Sequence, residues 1–343
     1  MKRTTLSLVS LLAAALLSPG CDFADALEKG AEMAVGQESN PDAPERSEHD
    51  KRGEKLQGYI QCINHASSRV HDAIRRYYSW VDFEKGVTGS EKNVYGLYEV
   101  KRDDKCLTGI DTSNAAEPKD EELESAATAW KGAYETAQAE IIEAHRYYDQ
   151  KDYLDDDFAK GKEFHPKLAE AFKAFEQADR ALRDAVEVRN DEIQRKNLER
   201  MEKEDGRKLR FLTALVMAEA KALLKVGDVP DYPELDLPKF EAAIAKYAAA
   251  LKELNEYVEA HPKEVGTVTI FSTFHDTAGD MQTAAKELMR RKRDDKAYTD
   301  HEKIRMRSGA FAVDGTPAKL SRAYNDLVSR SNALNWHRYQ PDA

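Results

Sequence analysis

From residue 54 onward the apolar positions of this chain recur at alternating spacings of four and three. Leu56, Ile60, Ile63, Ser67, Val70, Ile74, Tyr77 and Val81 form one such series, with a single serine inside it. Leu123, Ala127, Trp130, Tyr134, Ala137, Ile141, Ala144 and Tyr148 form a second. Phe164, Leu168, Ala171, Phe175, Ala178, Leu182 and Ala185 form a third, and Phe240, Ile244, Tyr247, Leu251, Leu254 and Val258 a fourth. That alternation is the seam of helices packed at small crossing angles, as in bundles and coiled coils. Further helices are predicted at about 208–225, 267–293 and 317–335. The last opens at Thr316-Pro317, with proline suited to a first helical turn.

The segments between the seams carry different signals. Residues 189–208 are almost wholly polar, which predicts either a solvated helix bridging two bundles or a break near Gly206. The cluster Gly227-Asp228, Pro230-Asp231 and Pro233, with Pro238 beyond, is the strongest candidate hinge. Strand patterning is nearly absent, and only Val94 to Val100 is composed to extend. The expected fold is mainly α: an elongated antiparallel helical bundle over 54–338, divisible into two sub-bundles at a boundary within 189–238. One long loop, about 81–120, interrupts it and can hold a short hairpin. Arg76-Tyr77-Tyr78 before Asp82-Phe83 is echoed by Arg146-Tyr147-Tyr148 before Asp152-Tyr153. Duplicated hairpins and chance likeness of helix ends explain that echo equally well.

Ahead of the helices lies a different grammar. Lys2 and Arg3 precede an apolar run from Leu6 to Leu17, and Ser18-Pro19-Gly20 then leads into Cys21. The run is too short to span a bilayer and has the proportions of a removed export signal, residues 1–20. A small residue before a cysteine at this distance resembles a bacterial lipobox. The resemblance implies diacylglycerol on the Cys21 thiol, cleavage after Gly20 and acylation of the new amino terminus. The competing reading is an ordinary signal peptide that ends near a cysteine. Residues 21–53 then form a flexible tether, because they hold too few large apolar side chains to offset the entropy of ordering. Such a coil reaches roughly 30 Å. The expected location is the cell envelope, lipid-anchored and facing the periplasm. Asp22 resembles an inner-membrane retention signal of enteric bacteria, and both membranes stay open.

Charge narrows the partners. The chain has 52 Lys and Arg against 63 Asp and Glu; without Lys2 and Arg3 the balance is 50 against 63, or −13. That argues against nucleic acid and against a polybasic membrane-binding surface. Arg290-Arg291-Lys292-Arg293 precedes Asp294-Asp295 and reads as the solvated last turn of a helix. With Cys21 assigned to lipid, Cys62 and Cys106 remain as a pair in an oxidising compartment. A disulfide between them would contribute about 4 kcal/mol through loop entropy. Two separate buried thiols are the alternative, since spacing does not show that they meet.

Signatures of catalysis are missing: the chain has no glycine-rich phosphate loop and no nucleophile elbow. Asp155-Asp156-Asp157 lacks the alternating ligands and central glycine of a calcium loop and reads as an acidic turn. His65 and His71 stand six apart, so on a helix they diverge. His261-Pro262-Lys263-Glu264 matches a His-x-x-Glu spacing, but its proline puts the histidine at a helix boundary. No metal, cofactor or catalytic residue is expected, and the protein is read as a non-enzyme.

The long connection after Trp80 is the better candidate. Tyr77, Tyr78, Trp80, Phe83, Tyr95 and Tyr98 crowd into one short stretch, with Gly86, Gly89 and Gly96 for tight turns. Such a segment is either a lid folded over the bundle and stapled by Cys62 and Cys106, or a binding surface made of Tyr77, Tyr78, Trp80, Tyr95 and Tyr98. It is also where a family resemblance appears. Tyr59-Ile60 and Asn64, Tyr78-Ser79-Trp80-Val81-Asp82, Gly86 to Glu91 and Tyr95-Gly96-Leu97-Tyr98 resemble the YiiG-like family. Tyr324 to Val328 and Asn332 to Asn335 resemble that family's ending, so the likeness spans roughly residues 54–335. It implies a lipoprotein of Gram-negative bacteria and transfers no activity. The expected role is a lipid-anchored envelope protein, binding or structural, with the membrane and another envelope protein as partners. The alternative is a periplasmic small-molecule or metal-binding protein with a pocket near Tyr77, Trp80, Tyr98 and His71.

Overall fold

The structure, a computed structural model, describes residues 48–339; over that range it is mainly α-helical, with no strand among the described residues. The chain divides into two compact units between Ile193 and Gln194. No helix among the described residues is long and apolar enough to cross a membrane.

In the N-terminal unit α1 (Glu48–Cys62), a single π turn (Ile63–Ser67) and α2 (Ser68–Tyr78) form one uninterrupted rod. Next come α3 (Asp104–Ala115), α4 (Glu121–Asp149) and the first part of α5 (Ala159–Asp205). α1 packs on α3, α3 on α4, and α2 on α4. The ion pair and hydrogen bonds of Lys55 fix the lower end. Its side chain is buried, and its ammonium donates to the carbonyls of Ala116 and Pro118, each at 3.0 Å, and to Glu124. Burial of the charge is thus matched by three acceptors. Asp120 caps α4 through the Leu123 N–H and accepts both guanidinium arms of Arg189 at 2.9 and 3.0 Å.

α3 occupies the second half of what reads in sequence as one long loop. Its sequence contains Gly109 and several Asp, Thr, Ser and Asn residues, all weak helix formers. Tertiary contact holds it instead. A Cβ placed on Gly58 would lie 2.8 Å from the Gly109 carbonyl oxygen, so α1 and α3 approach backbone to backbone there. One turn away a disulfide joins Cys62 to Cys106, with Cα atoms 5.0 Å apart. No hairpin forms in the other half: Val94 to Val100 has no strand partner and crosses α4 as a strap.

In the C-terminal unit α6 (Leu209–Gly227), α7 (Leu237–Ala260), α9 (Phe271–Arg293) and α11 (Pro317–Asn332) pack in a closed ring, α6 on α7, α7 on α9, α9 on α11 and α11 on α6. The short helices α8 (Pro262–Val265) and α10 (Asp300–Met306) sit in the connections. The Gly227–Pro238 cluster is the turn of the α6–α7 hairpin, two helices packed against each other, rather than a hinge between bundles. Asp236 caps α7 and Thr316 caps α11, each with proline in the first turn. The polar stretch after residue 189 continues α5 as helix to Asp205, and Gly206 ends it with φ +75°.

The basic cluster at the end of α9 is not uniformly solvated. Arg291 is buried and donates to the carbonyls of Lys296 (3.1 Å) and Asp314 (2.8 and 3.2 Å) and to Glu302 (2.5 Å), with Tyr298 against its guanidinium at 4.5 Å. Position 291 points inward from α9 while Arg290 and Arg293 point outward, a distinction that a run of four like charges conceals.

Candidate functional site

Two carboxylates shape the turn after α2. Asp82 accepts the N–H groups of Glu84 (3.0 Å) and Lys85 (2.8 Å), which hold its carboxyl below the usual range. Glu91 accepts the N–H of Thr88 at 2.6 Å and of Gly89 at 2.8 Å. Burial works against its ionisation, yet these donors keep it below the ordinary carboxylate range. Gly86, at φ +68°, lies flat on the His165 ring, where a Cβ would fall 2.5 Å from a ring carbon. His165 shares a 3.1 Å hydrogen bond with the Tyr77 hydroxyl, and burial pushes its pKa down.

Beyond Glu91 the chain runs extended along α4, and side chains of α2, α4 and Trp80 take up its carbonyls. Arg76 donates to Tyr95 O (3.2 Å), Trp80 Nε1 to Gly96 O (2.9 Å), His145 to Leu97 O (2.9 Å), Gln138 to Val100 O (3.2 Å) and Tyr134 to Lys101 O (3.2 Å). The strap therefore runs antiparallel to α4. From Leu97 to Lys101 it advances four residues while α4 retreats eleven, from His145 to Tyr134. At about 3.3 and 1.5 Å per residue these are about 13 and 16 Å, equal within the reach of the side chains. Strap and α3 together thus make one return column beside two parallel helices, α2 and α4. Leu97 and Val100 point into the core, whereas Tyr95 is 48% and Tyr98 53% exposed.

The predicted surface residues separate on this frame. Tyr77 is fully buried, packed between Tyr78, Trp80, His165 and Phe172, and burial raises its hydroxyl pKa. It belongs to the core rather than to a binding face. The fourth-turn position that makes Tyr77 part of the seam points it inward, whatever its aromatic neighbours do. Tyr78 and Trp80 are half-buried, with Trp80 edge-on to Tyr148 at 5.1 Å. Tyr95 and Tyr98 remain outside and flank Arg76, whose guanidinium lies 5.0 and 5.2 Å from their ring centres. Phe83, 69% exposed, leans on Tyr78 at 5.2 Å. Arg76 was legible only as part of the Arg-Tyr-Tyr echo; nothing in its spacing marked it as the centre of this stack. The ends of the two echoed segments come together through Trp80, which touches Tyr77 of the first and Tyr148 of the second.

Two further clusters are built of chemistry-bearing groups. Asp179 on α5 is buried and receives Ser67 Oγ (2.6 Å), Trp130 Nε1 (2.9 Å), His71 Nε2 (3.0 Å) and Arg183 Nε (2.7 Å). Burial disfavours its charge, but His71, Arg183 and Ser67 hold the carboxyl well below the usual range. Ser67 is placed there by the π turn. All lone pairs of Asp179 face committed donors from three helices, so the cluster is built as a clamp and offers no free base. His65 instead pairs with Asp103 at 2.9 Å, so the two histidines do diverge. In the C-terminal unit Glu264 accepts the hydroxyls of Tyr257 (3.0 Å) and Tyr339 (2.5 Å), while His261 stacks on Tyr257. Among the described residues no group of three or more His, Cys, Asp or Glu is placed to hold a metal ion. Cys21 lies outside the described residues.

The model of a family described as a protein of unknown function, DUF3829, matches residues 50–333. The chain belongs to this family. The chain is 29% identical over 307 residues to the uncharacterized protein YiiG of Escherichia coli (strain K12), covering 87% of this chain and 84% of that one. The YiiG-like resemblance carried by the 59–98 and 324–335 motifs is therefore a relationship over most of the chain. No solved structure matches. The DUF3829 match takes in both compact units, the disulfide, the strap and the Asp179 clamp.

Proposed function

We propose that this DUF3829 protein is a lipid-anchored component of the cell envelope, acylated at Cys21 and facing the periplasm, that binds another envelope protein without catalysis. The observation that carries the binding half is the Tyr95–Arg76–Tyr98 stack. It is exposed, yet fixed in place by five side-chain bonds to the strap's carbonyls, so little ordering entropy remains to oppose binding. Tyrosine and arginine are the side chains that contribute most at protein interfaces. The geometry also sets a direction. Residues 48–53, expected as the end of the tether, are the first turns of α1, and Glu48 and Tyr78 stand at opposite ends of a continuous rod of about 46 Å, so the stack lies far from the rod's N-terminal end.

A photo-crosslinking residue at position 95 or 98 in living cells tests this. One discrete adduct, diminished when Arg76→Ala is added, is expected. Absence of any adduct from either position, or adducts unaffected by Arg76→Ala, would refute the binding half. Cys21→Ser should abolish partitioning into detergent; unchanged partitioning would refute the anchor.

A further inference from the structure

The acidic balance of the whole chain conceals a locally basic face. Residues 286–330 contain twelve Lys and Arg against seven Asp and Glu, in a chain with 52 against 63. Several of those acids are paired: Glu302 with Arg291, Asp294 with Arg293, Asp300 with Lys303 and Asp326 with Arg322, while Asp314 and Glu287 share Lys319. Arg305 donates to the Ala312 carbonyl, and Arg307 has no carboxylate partner among the described residues.

Within this basic region the fold leaves large apolar side chains in solvent. α10 buries no residue at all, and Ile304 on it is 59% exposed. It packs against the turn at Ala310–Ala312, where Phe311 is 51% exposed and Arg322 stands 5.9 Å from its ring. A short helix that contributes nothing to the core is nevertheless tightly held. Thr299 and Glu302 form a capping box, and Glu302 is tied back to the buried Arg291. Two exposed apolar side chains in a segment with Arg305 and Arg307, and with Lys303 and Arg322 paired to exposed Asp300 and Asp326, match the interface of an anionic bilayer. There the apolar groups enter the headgroup boundary and the cations meet phosphates.

We propose that this face of the C-terminal unit docks on anionic phospholipid membranes. The rest of the acidic surface would be repelled by such a membrane, so the same charge asymmetry that permits docking also selects which face approaches. This contact does not depend on Cys21 or on the strap.

The test uses the chain from Asp22 onward, which lacks the acylated residue and keeps every described one, floated with vesicles. It should rise with phosphatidylethanolamine vesicles containing phosphatidylglycerol at low salt, and not with phosphatidylcholine vesicles; high salt should release it. Lys303→Glu with Arg307→Glu should lower the bound fraction at least about tenfold, at roughly fivefold per cation near such a surface. Ile304→Ser with Phe311→Ser should lower it as far, while Tyr98→Ser leaves it unchanged. Phe311→Trp keeps the apolar surface, and its emission should shift to the blue only with phosphatidylglycerol present. Failure of the unaltered chain to float, equal floating with phosphatidylcholine, or full floating of either double variant would overturn the proposal.

Discussion

Asp179 in the N-terminal unit and Arg291 in the C-terminal unit are buried charges held in opposite ways, and Lys55 of the N-terminal unit is held in the manner of Arg291. Asp179 is an anion, and its partners Ser67, His71, Trp130 and Arg183 come from helices. Arg291 is a cation, and its acceptors are mostly the carbonyls of a connection, Lys296 and Asp314, with Glu302 from a short helix. An anion surrounded by side-chain donors ties helix to helix. A cation surrounded by carbonyls ties irregular backbone to a helix, because carbonyls are what a loop has to offer. The first clamp therefore serves the bundle and the second serves the surface built on it.

Removing the anion should cost most. Asp179→Ala leaves a half-buried guanidinium, a buried indole N–H and a buried hydroxyl without this acceptor, and about 3–5 kcal/mol of stability should be lost in urea unfolding. A loss below about 1 kcal/mol would mean that the helices do not depend on the clamp. Arg291→Met should cost less, about 2–3 kcal/mol, and faster hydrogen exchange should be confined to residues 294–316. Global unfolding of the ring would remove the distinction between the two clamps. The smallest effect is expected from pH. Both Asp179 and Glu302 ionise below their usual values, Glu302 at about 2 through the Thr299 N–H and Arg291. Stability from such groups is complete above their unfolded pKa values and declines as pH falls toward the folded ones. For Glu302 that window runs from about 4.5 down to about 2. Asp179→Asn should flatten the acid-induced loss of the N-terminal unit alone, measured by thermal unfolding between neutral pH and that window.

The helices with regular seams were readable because burial recurs with the period of the structure: Leu123 to Tyr148 and Phe240 to Leu254 are core along nearly their whole length. α3 was not readable, because it has no seam of its own. Its place is set by Gly58 and by Cys62, which lie some fifty residues earlier, and its composition argues for a loop. The strap was visible as a concentration of aromatics, yet which of them face outward was not. Tyr77 follows the helix period and Tyr95 and Tyr98 the strap's own geometry, and the sequence does not mark where one gives way to the other. Asp179, on the flank of a regular seam, has one local donor, Arg183 a turn away, and carries no signal for Ser67, His71 and Trp130, which converge on it from distant parts of the chain.

The return column of the N-terminal unit is half helix and half extended chain, and this separates what it holds from what it displays. A helix at that position would turn three or four residues past the core for every one exposed as a group. The strap fastens itself through Leu97, Val100 and its own carbonyls, while the side chains of Tyr95, Tyr98 and Glu99 stay outside the core. Relatives could therefore change the outward positions freely and acquire new recognition on an unaltered frame. Variation at 95, 98 and 99 beside constancy at 97 and 100 is the pattern that such a history would leave.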